Sequence, residues 1–292
     1  MSRGFQNAGF EIVCAFDKWA PAVAVYSDNF NHPVHELDLS SARALETALT
    51  YNADVLIGGP PCQDFSSAGP NNLRSKRASM LERFGDFVGA MQPGIFVMEN
   101  VPRTRLTSLF TELQERVHSA DYVTTTVVLD ASFYGVPQRR KRMFFIGCKI
   151  PDIIRQIKDK IIDQQSEKPL TLREYFGNEL DVDHYFRVPT NYQRRGVFSI
   201  DAPSVTIRAV DRPIPSGYPG HPNDSAPIGP SVRAFSVGER ARIQTFPPDF
   251  RWQGSKTNIN TLIGNAVPVA LAEQLAVIVK DSIKSHQLLA CR

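Results

Sequence analysis

Short apolar runs alternate with helical stretches along the first half of the chain, and this order restricts the possible folds more than any other feature. The middle runs are continuously apolar, as in strands that are buried on both faces of a parallel sheet. The stretches between them have the period of helices. The alternation therefore predicts an α/β layer with crossover helices. Strands are expected at residues 11–16, 54–57, 95–98, 122–129 and 143–147, and helices at residues 42–50, 80–91 and 107–119.

The second half has a different pattern. No clear helical period links the last two predicted strands, so antiparallel pairing is open to them. The six prolines within residues 211–230 exclude a regular helix or a central strand from that segment. From about residue 171 we expect a smaller, loop-rich domain. A final helical pattern presents an apolar face that is expected to pack on the first domain, with Val267, Leu271, Leu275 and Ile278.

Composition limits the class of protein. A chain of 292 residues with 42% apolar and 22% charged residues can bury a core, which argues against a disordered protein. Its four cysteines are far apart and form no Cys-x-x-Cys, so neither disulfides nor a metal site is expected. No apolar run approaches the roughly 18 residues of a membrane span, and the first residues are too polar for a secretory signal. We therefore expect a cytoplasmic monomer without membrane association.

Charge is unevenly distributed between the halves. Residues 1–137 contain 10 Lys and Arg against 15 Asp and Glu, whereas residues 138–292 contain 23 against 15. The net charges are thus −5 and +8. This asymmetry favours a polyanion such as nucleic acid as the partner of the second half.

Two motifs follow predicted central strands, where an α/β sheet places its functional loops. Residues 58–66 read Gly-Gly-Pro-Pro-Cys-Gln-Asp-Phe-Ser, and Cys62 taken alone is as well explained as an inert buried thiol. Glu99, in Glu-Asn-Val, ends the next central strand and taken alone could be an ion-paired or capping carboxylate. Adjacent strand ends could bring both side chains into one crevice.

Two further motifs lie in the second half. Residues 138–142 read Gln-Arg-Arg-Lys-Arg, ordinarily a solvated run, but alternation would send Arg140 and Arg142 to the same side of a strand. Residues 263–268 read Ile-Gly-Asn-Ala-Val-Pro, where glycine and asparagine are expected to open the final helix. A plain helix N-terminus explains this second motif equally well.

In this order and spacing, these segments resemble the DNA cytosine-5 methyltransferase family, whose members use S-adenosylmethionine to methylate a base. The resemblance runs from about Gly4 to Ala276 and includes Arg-Ala-Arg-Ile-Gln-Thr-Phe-Pro at residues 240–247. It implies a Rossmann-like S-adenosylmethionine-dependent methyltransferase sheet within residues 1–170 and 262–292. Residues 171–261 would then be the target recognition domain, and double-stranded DNA the partner.

The resemblance also implies the catalytic roles. Cys62 matches the nucleophile that adds to carbon 6 of an extruded cytosine. Glu99 and Arg142 match the groups that stabilise negative charge at N3 and O2. Arg140 matches a residue of the same motif, for which we expect a contact with a DNA phosphate.

Binding residues follow from the same comparison. For the methyl donor, Asp17 matches the carboxylate that binds the ribose hydroxyls, and Asp38 matches the carboxylate that binds the adenine amine. Lys18 occupies a position beside the adenine where the family often has an aromatic or aliphatic residue. The remaining donor-site candidates are Pro60, Asn265 and Ala266. For DNA contacts, the first candidates are Gln63, Ser66 and Arg77, which lie in a segment resembling the mobile catalytic loop, together with Gln138. In the small domain the candidates are Arg194, Arg195 and Arg208. The same domain also contains Arg187, Arg212 and Arg233 as plausible contacts.

One element of the family pattern is missing. The glycine-rich loop after the first strand, which wraps the donor, has no counterpart, because residues 1–10 align with the helix that follows it. A start assigned too late, a split enzyme completed by another polypeptide and a decayed gene product are all open. The competing functions are a DNA-binding remnant without catalysis, a methyltransferase acting on transfer RNA and, more distantly, a thiol hydrolase.

Overall fold

The computed structural model describes residues 1–61, 79–210 and 212–290, and it has a mixed α/β fold. The chain divides into two compact units. The first, called here the α/β unit, comprises Met1–Leu129, Lys141–Gln165 and Ala272–Arg292. The second, called the inserted unit, comprises Asp130–Arg140 and Ser166–Leu271. These limits differ by several residues from the expected domain ends at 170 and 262, and the assignment of a target recognition domain stays a prediction.

Helices and strands alternate through the first half, as the sequence predicts. The strands are β1 (Ala15–Asp17), β2 (Val34–Glu36), β3 (Val55–Gly58), β4 (Ile95–Asn100), β5 (Val123–Asp130), β6 (Lys141–Cys148), β7 (His184–Phe186), β8 (Val197–Ser199) and β9 (Val232–Ala234). The helices are α1 (Ser2–Asn7), α2 (Ala20–Asn29), α3 (Ala42–Leu49), α4 (Ser79–Met91), α5 (Ser108–His118), α6 (Pro151–Asp163), α7 (Leu172–Phe176), α8 (Val237–Ile243), α9 (Lys256–Asn265) and α10 (Val269–Ala290).

The main sheet of the α/β unit has the strand order β3-β4-β6-β5. Strand β3 is parallel to β4, but β6 runs antiparallel to β4, so the sheet is mixed rather than wholly parallel. Strands β1 and β2 form a separate parallel pair. The predicted first strand at 11–16 is too long, because only Ala15–Asp17 pairs with β2, itself a short half-exposed strand that the sequence pattern did not indicate.

The core of the α/β unit lies against one face of β4. Period-two alternation puts Phe96 and Met98 on the same face, and both side chains are fully buried. They pack with Met143 and Phe145 of β6 and with apolar residues of α4 and α5. Glu99 lies on the opposite face of β4, so its side chain points away from this core. This orientation makes the carboxylate available for chemistry.

The inserted unit has its own core around a three-stranded sheet of order β8-β7-β9. Tyr185 of β7 is stacked between Phe198 and Phe235, with ring centroids 5.6 and 4.3 Å away. Helices α7 and α8 each begin with a capping box, which satisfies main-chain donors at their first turns. Within residues 212–230 the chain contains neither helix nor strand, as the prolines predict.

The last helices correct two expectations. Gly264 and Asn265 end α9 rather than open the final helix, which begins at Val269 after Pro268. The helical stretch Lys256–His286 is also long and apolar enough, by length and composition, to cross a membrane, contrary to the expectation that no such run exists. However, 61% of its qualifying window is buried in the protein, as in the core helix of a soluble protein.

Gly264 provides a test of packing in the inserted unit. A Cβ atom there would lie 2.2 Å from the main-chain N of Ala209 and 2.3 Å from the carbonyl carbon of Arg208, so the main chain itself would have to move. We predict that Gly264→Ala destabilises the protein by about 2 to 4 kcal/mol, seen as a lower melting temperature by calorimetry.

Gly238→Ala is the matched control, because its Cβ would meet nothing within 4 Å and it lies in α8, where alanine is the better helix former. We expect an unchanged or slightly higher melting temperature. Equal melting temperatures for the two variants would contradict the close approach at Gly264.

Candidate active site

An ion pair between two neighbouring strands forms the centre of the candidate site. In the antiparallel register of β4 and β6, Glu99 lies opposite Phe144, so Arg142 is its diagonal neighbour on the same face. Arg142 Nε is 2.8 Å from Glu99 Oε1, and the two side chains are only 16% and 12% exposed. The sheet register therefore brings these two predicted catalytic residues together in a largely buried pair.

A hydrogen-bonded network joins the ends of β3 and β4. Asn100 is buried, and its Nδ2 donates to the carbonyl of Pro60 at 3.1 Å. Its Oδ1 accepts from the main-chain N of Val101 and the hydroxyl of Thr104. The Pro-Pro segment after β3 is thereby fixed beside the Glu-Asn-Val motif.

The predicted residues of the catalytic loop lie beyond this fixed point. Cys62, Gln63, Ser66 and Arg77 are outside the described residues. Pro60 lies two positions before Cys62 and is held next to the strand that carries Glu99. The roles of the four loop residues therefore stay predictions.

A second polar group lies at the carboxyl ends of β1 and β2. The two strands are parallel, with Asp17 opposite Glu36, so Asp17, Lys18 and Asp38 meet at one edge. Lys18 Nζ lies 3.3 Å from Asp38 Oδ2, and one oxygen of Asp17 accepts from the main-chain N of Trp19. All three side chains are exposed, so a ligand in solution can reach them.

Asp38 is held in its ionised form. The main-chain N–H of Ser40 and then its hydroxyl donate to Asp38 Oδ1, and together with Lys18 they hold the pKa of this carboxyl below its ordinary value. An ionised carboxylate accepts hydrogen bonds through about four lone-pair positions, so Asp38 keeps the capacity to accept from a ligand amine.

Two other donor-site candidates belong to the inserted unit. Asn265 is exposed at the end of α9, and Ala266 follows it as the C-cap. The carbonyl of Ala266 accepts from Gln244 Nε2 at 3.3 Å. Their part in donor binding stays a prediction.

Arg140 lies directly before the strand that carries Arg142. Strand β6 begins at Lys141, so the strand alternation that relates Arg140 to Arg142 does not extend to it. Its side chain is 1% exposed, and its Nη atoms donate to the carbonyls of Ile207 and Gly264 at 3.0 and 2.8 Å. Arg140 thus joins segments of the inserted unit, and its contact with a DNA phosphate stays a prediction.

Gln138 is likewise buried. Its Nε2 donates to Gln244 Oε1 at 2.9 Å, and its Oε1 accepts from the main-chain N of Ile207. The side chain is fully buried, and its contact with DNA stays a prediction. The burial has a physical reason, because an amide can satisfy main-chain and side-chain partners in the interior of a domain.

The arginines of the inserted unit fall into two groups. Arg233 is bound to Asp181 and Glu239, which satisfies its charge. By contrast, a cavity of about 190 Å³ is lined by Arg187, Val188, Pro189, Arg208, Val210 and Arg212. Burial and the neighbouring Arg208, Arg194 and Arg240 lower the pKa of Arg187 to about 10. Arg194 is exposed, and Arg195 lies over the ring of Phe198 at 4.5 Å.

Residues 1–280 match the family described as C-5 cytosine-specific DNA methylase. The chain belongs to this family. Its members use S-adenosylmethionine as methyl donor and act on double-stranded DNA. The chain is 46% identical over 280 residues to the Type II methyltransferase M.HgiDI of Herpetosiphon aurantiacus, covering 94% of this chain and 89% of that protein. It is 42% identical over 287 residues to the Type II methyltransferase M.HindV of Haemophilus influenzae, covering 94% and 91%.

Solved methyltransferases share the fold of the chain. The methyltransferase EhMeth of Entamoeba histolytica superposes with a TM-score of 0.72 at 18% identity, over 96% of this chain and 95% of that one. The Dnmt2 methyltransferase of S. pombe gives a TM-score of 0.69 at 16% identity, over 97% and 95%. The chain thus has the α/β architecture of S-adenosylmethionine-dependent methyltransferases, as predicted.

Several residues of this methyltransferase were missed by sequence reasoning. Thr104 and Gln244 are fully buried. Thr104 donates to Asn100 at the end of β4, and Gln244 donates to the carbonyl of Ile263 in α9. Arg240 is also buried and donates to the carbonyl of Arg208. Gln244 and Arg240 belong to a motif that the sequence shows, but a single sequence does not reveal which polar residues of a motif face inward.

The Ser40–Asp38 contact of this methyltransferase predicts a measurable titration. Ser40→Ala removes the hydroxyl donor but keeps the main-chain N–H and Lys18, so we expect the pKa of Asp38 to rise while staying below its ordinary value. Carboxyl ¹³C NMR titration measures it. Because a depressed pKa protects the ionised form down to low pH, Asp38 in the variant should protonate at higher pH than in the parent.

Ser285→Ala is the control, since its hydroxyl donates to the main-chain carbonyl of Asp281. It should leave the titration of Asp38 unchanged. A pKa of Asp38 that stays the same or falls in Ser40→Ala would contradict the assigned contact.

Proposed function

We propose that this chain is the methyltransferase of a Type II restriction-modification system and methylates carbon 5 of a flipped cytosine in a specific duplex sequence. The observation that carries the proposal is the buried Glu99–Arg142 pair beside the Pro-Pro segment that leads to Cys62. The names of two relatives, both Type II methyltransferases, support the biological setting. Action on cellular DNA supports a cytoplasmic location.

Cys62 would supply the nucleophile. Carbon 5 of cytosine is unreactive within an aromatic ring, and attack of a thiolate at carbon 6 removes that aromaticity. A bond forms between Cys62 Sγ and carbon 6, and the electron pair of the 5,6 double bond makes carbon 5 enamine-like. After carbon 5 has been methylated, loss of its proton to a base returns the electron pair, breaks the S–C6 bond and restores the thiolate.

Glu99 and Arg142 would stabilise the charge that this addition creates. Negative charge develops on N3 and O2 of the ring, and preorganised donors in a water-poor site stabilise it most effectively. Glu99, when protonated, holds a proton for N3, and Arg142 presents N–H donors to O2. Their diagonal contact supports this division, because the two groups are adjacent but emerge from different strands.

S-adenosylmethionine would supply an electrophilic methyl group carried on a sulfonium, whose sulfur would keep the electron pair of the broken S–CH3 bond and leave as the thioether S-adenosylhomocysteine. Asp17 and Asp38 fit its nucleoside, because carboxylates at the ends of parallel strands suit ribose hydroxyls and an exocyclic amine. The lowered pKa of Asp38 supports the acceptor role. Lys18 pairs with Asp38 and is exposed, so it offers no aromatic surface for the adenine.

The cavity lined by arginines would contribute to DNA binding. Arg187, Arg208 and Arg212 surround it, and each guanidinium suits bidentate contacts to phosphate or guanine. Clustered like charges favour an anionic partner, because they repel each other when no anion is present. Arg194 and Arg195 are exposed in the same unit and extend the basic surface.

Methyl transfer tests the proposal directly. Purified protein is incubated with labelled S-adenosylmethionine and mixed-sequence duplex DNA, with transfer RNA as a competing acceptor. We expect label on DNA cytosines, no transfer by Cys62→Ala, and duplex affinity of that variant within about twofold of the parent. Cys14→Ala, which changes a half-buried thiol elsewhere, is the matched control and should retain transfer.

Three results would overturn the proposal. Transfer by Cys62→Ala would show that the nucleophile is another residue. Label on transfer RNA alone would indicate a different substrate. Binding of duplex DNA without transfer at any donor concentration would favour a DNA-binding remnant.

A further inference from the structure

The turn that follows Glu99 displays an unusual combination of side chains. Pro102–Leu106 forms a single 3₁₀ turn directly after the Glu-Asn-Val motif. Arg103 and Arg105 are exposed, and Leu106 is 79% exposed, the highest value for a large apolar side chain among the described residues. One exposed leucine is ordinary. An exposed leucine flanked by two cations beside a catalytic candidate requires a specific explanation.

The turn is rigid, so this exposure is not due to a loose loop. Thr104, in the middle of the turn, is fully buried, and its hydroxyl donates to Asn100 Oδ1 at 3.0 Å. Asn100 is in turn bound to the carbonyl of Pro60. The main-chain N of Thr107 closes the turn on the carbonyl of Thr104 at 3.1 Å. The two arginines are thus presented from a fixed main chain.

The two arginines differ from most others in the α/β unit. Within the part of the chain that the structure describes, Arg103 and Arg105 form neither an ion pair nor a side-chain hydrogen bond, whereas Arg83, Arg116 and Arg155 are all paired with aspartates. Exposed cations on a rigid surface that lack a protein partner favour a polyanion as their partner.

The position of the turn indicates which part of a polyanion it meets. Arg103 is four residues after Glu99, so the two Cα atoms are no more than about 14 Å apart. A cytosine that reaches Glu99 must bring its neighbouring phosphates to the same edge of the sheet. Between phosphates, the deoxyribose is the apolar part of the backbone, which suits Leu106.

We propose that the Pro102–Leu106 turn is a sequence-independent DNA-contact surface, in which Arg103 and Arg105 bind backbone phosphates beside the extruded cytosine and Leu106 packs on a deoxyribose. This surface rests on the proposed function, since it takes the DNA that Glu99 receives. It provides affinity rather than sequence recognition, because phosphate contacts carry no base information.

The salt dependence of DNA binding tests this surface. Fluorescence anisotropy gives the Kd of a duplex for the parent and for Arg103→Ala/Arg105→Ala over a range of salt concentrations. Each lost phosphate contact should reduce the slope of log K against log salt by about one, so we expect a reduction of about two. The reduction should be equal for a cognate duplex, defined as one that the parent methylates, and for an unrelated duplex. Leu106→Ser should weaken binding several-fold without changing the slope.

Arg155→Ala/Lys158→Ala is the matched control, because it removes two exposed cations from α6. It should keep the slope of the parent. A parental slope in the Arg103/Arg105 variant, or a loss confined to the cognate duplex, would overturn the proposal. Failure of the parent to transfer methyl groups, with the slope still reduced in the variant, would instead refute the proposed function and leave the DNA surface intact.

A separate observation concerns Arg83 of α4, because each of its three guanidinium nitrogens forms a hydrogen bond. Its Nε donates to the carbonyl of Leu39 at 3.2 Å and one Nη to the carbonyl of Ser41 at 3.1 Å. The other Nη pairs with Asp86 at 2.7 Å, and Asp86 also binds Arg116 of α5. The side chain therefore connects two helices with the loop between β2 and α3.

That loop is the one that carries Asp38. The main-chain N and the hydroxyl of Ser41 donate to the carbonyl of Asp38 at 2.9 and 2.7 Å, so the carbonyls held by Arg83 belong to the same turn. Ser41 also caps α3, with its Oγ accepting from the main-chain N of Ala44. Movement of this turn would displace the Asp38 carboxylate.

We infer that Arg83 is a positioning residue for the methyl-donor site and acts by fixing the turn that aims Asp38 at the exocyclic amine of the donor's base. This inference also rests on the proposed function. It predicts a defect specific to the amine, because the other donor contacts do not depend on this turn.

A pair of ligands separates positioning from general stability. Calorimetry compares S-adenosylhomocysteine with an analogue whose base is purine and lacks the exocyclic amine. Arg83→Ala should weaken the adenine ligand about tenfold and leave the purine ligand nearly unchanged. Arg116→Ala removes the other partner of Asp86 but does not contact the turn, so it is the matched control and should preserve the preference for adenine.

If Arg83→Ala weakens the binding of both ligands equally, Arg83 is only a structural residue and the inference is overturned. The inference is also overturned if the variant binds both ligands with the affinity of the parent. Asp38→Asn tests the underlying assignment separately. If that variant binds both ligands as the parent does, the proposed role of Asp38 is wrong, irrespective of the result for Arg83.

Discussion

The antiparallel register of β4 and β6 is the constraint on which the candidate catalytic chemistry depends. Pairing Glu99 with Phe144 puts Arg142 on its diagonal, and the same register places Phe96, Met98, Met143 and Phe145 on the opposite, buried face. A shift by one residue would exchange the two faces and bury a carboxylate in an apolar core. The packing that fixes the register of the core therefore also fixes the position of the ion pair.

The inserted unit depends on a different device, a set of buried polar side chains that join distant segments. Gln138, Arg140, Arg240 and Gln244 bind main-chain groups near Ile207 and at the end of α9. Gly264 has no side chain where these segments approach each other most closely. The hydrogen bonds of this network are directional, so together they specify one arrangement of its segments. This matters in a loop-rich unit, where helices and strands alone specify the arrangement only weakly.

Much of the architecture was predictable from the sequence, because apolar period and helix period are local signals. Strands β3 to β6 and helices α3 to α5 lie within a few residues of their predicted positions. Strand β2 was missed because three half-exposed residues carry little periodicity, and the end of α9 was mistaken for a beginning. The burial of Arg140 and Gln138 was not predicted, because burial of a polar residue depends on partners far along the chain, such as Gly264 and Gln244.

The closure of the α/β unit by α10 has a consequence for synthesis. Glu273 accepts from Asn7, and Lys280 donates to the carbonyls of Ala8 and Gly9, so opposite regions of the polypeptide meet in one unit. During translation, α1 and strands β1 to β6 are all synthesised before these partners of α1 exist. We expect the nascent α/β unit to stay in an incomplete state that chaperones can bind until α10 has left the ribosome.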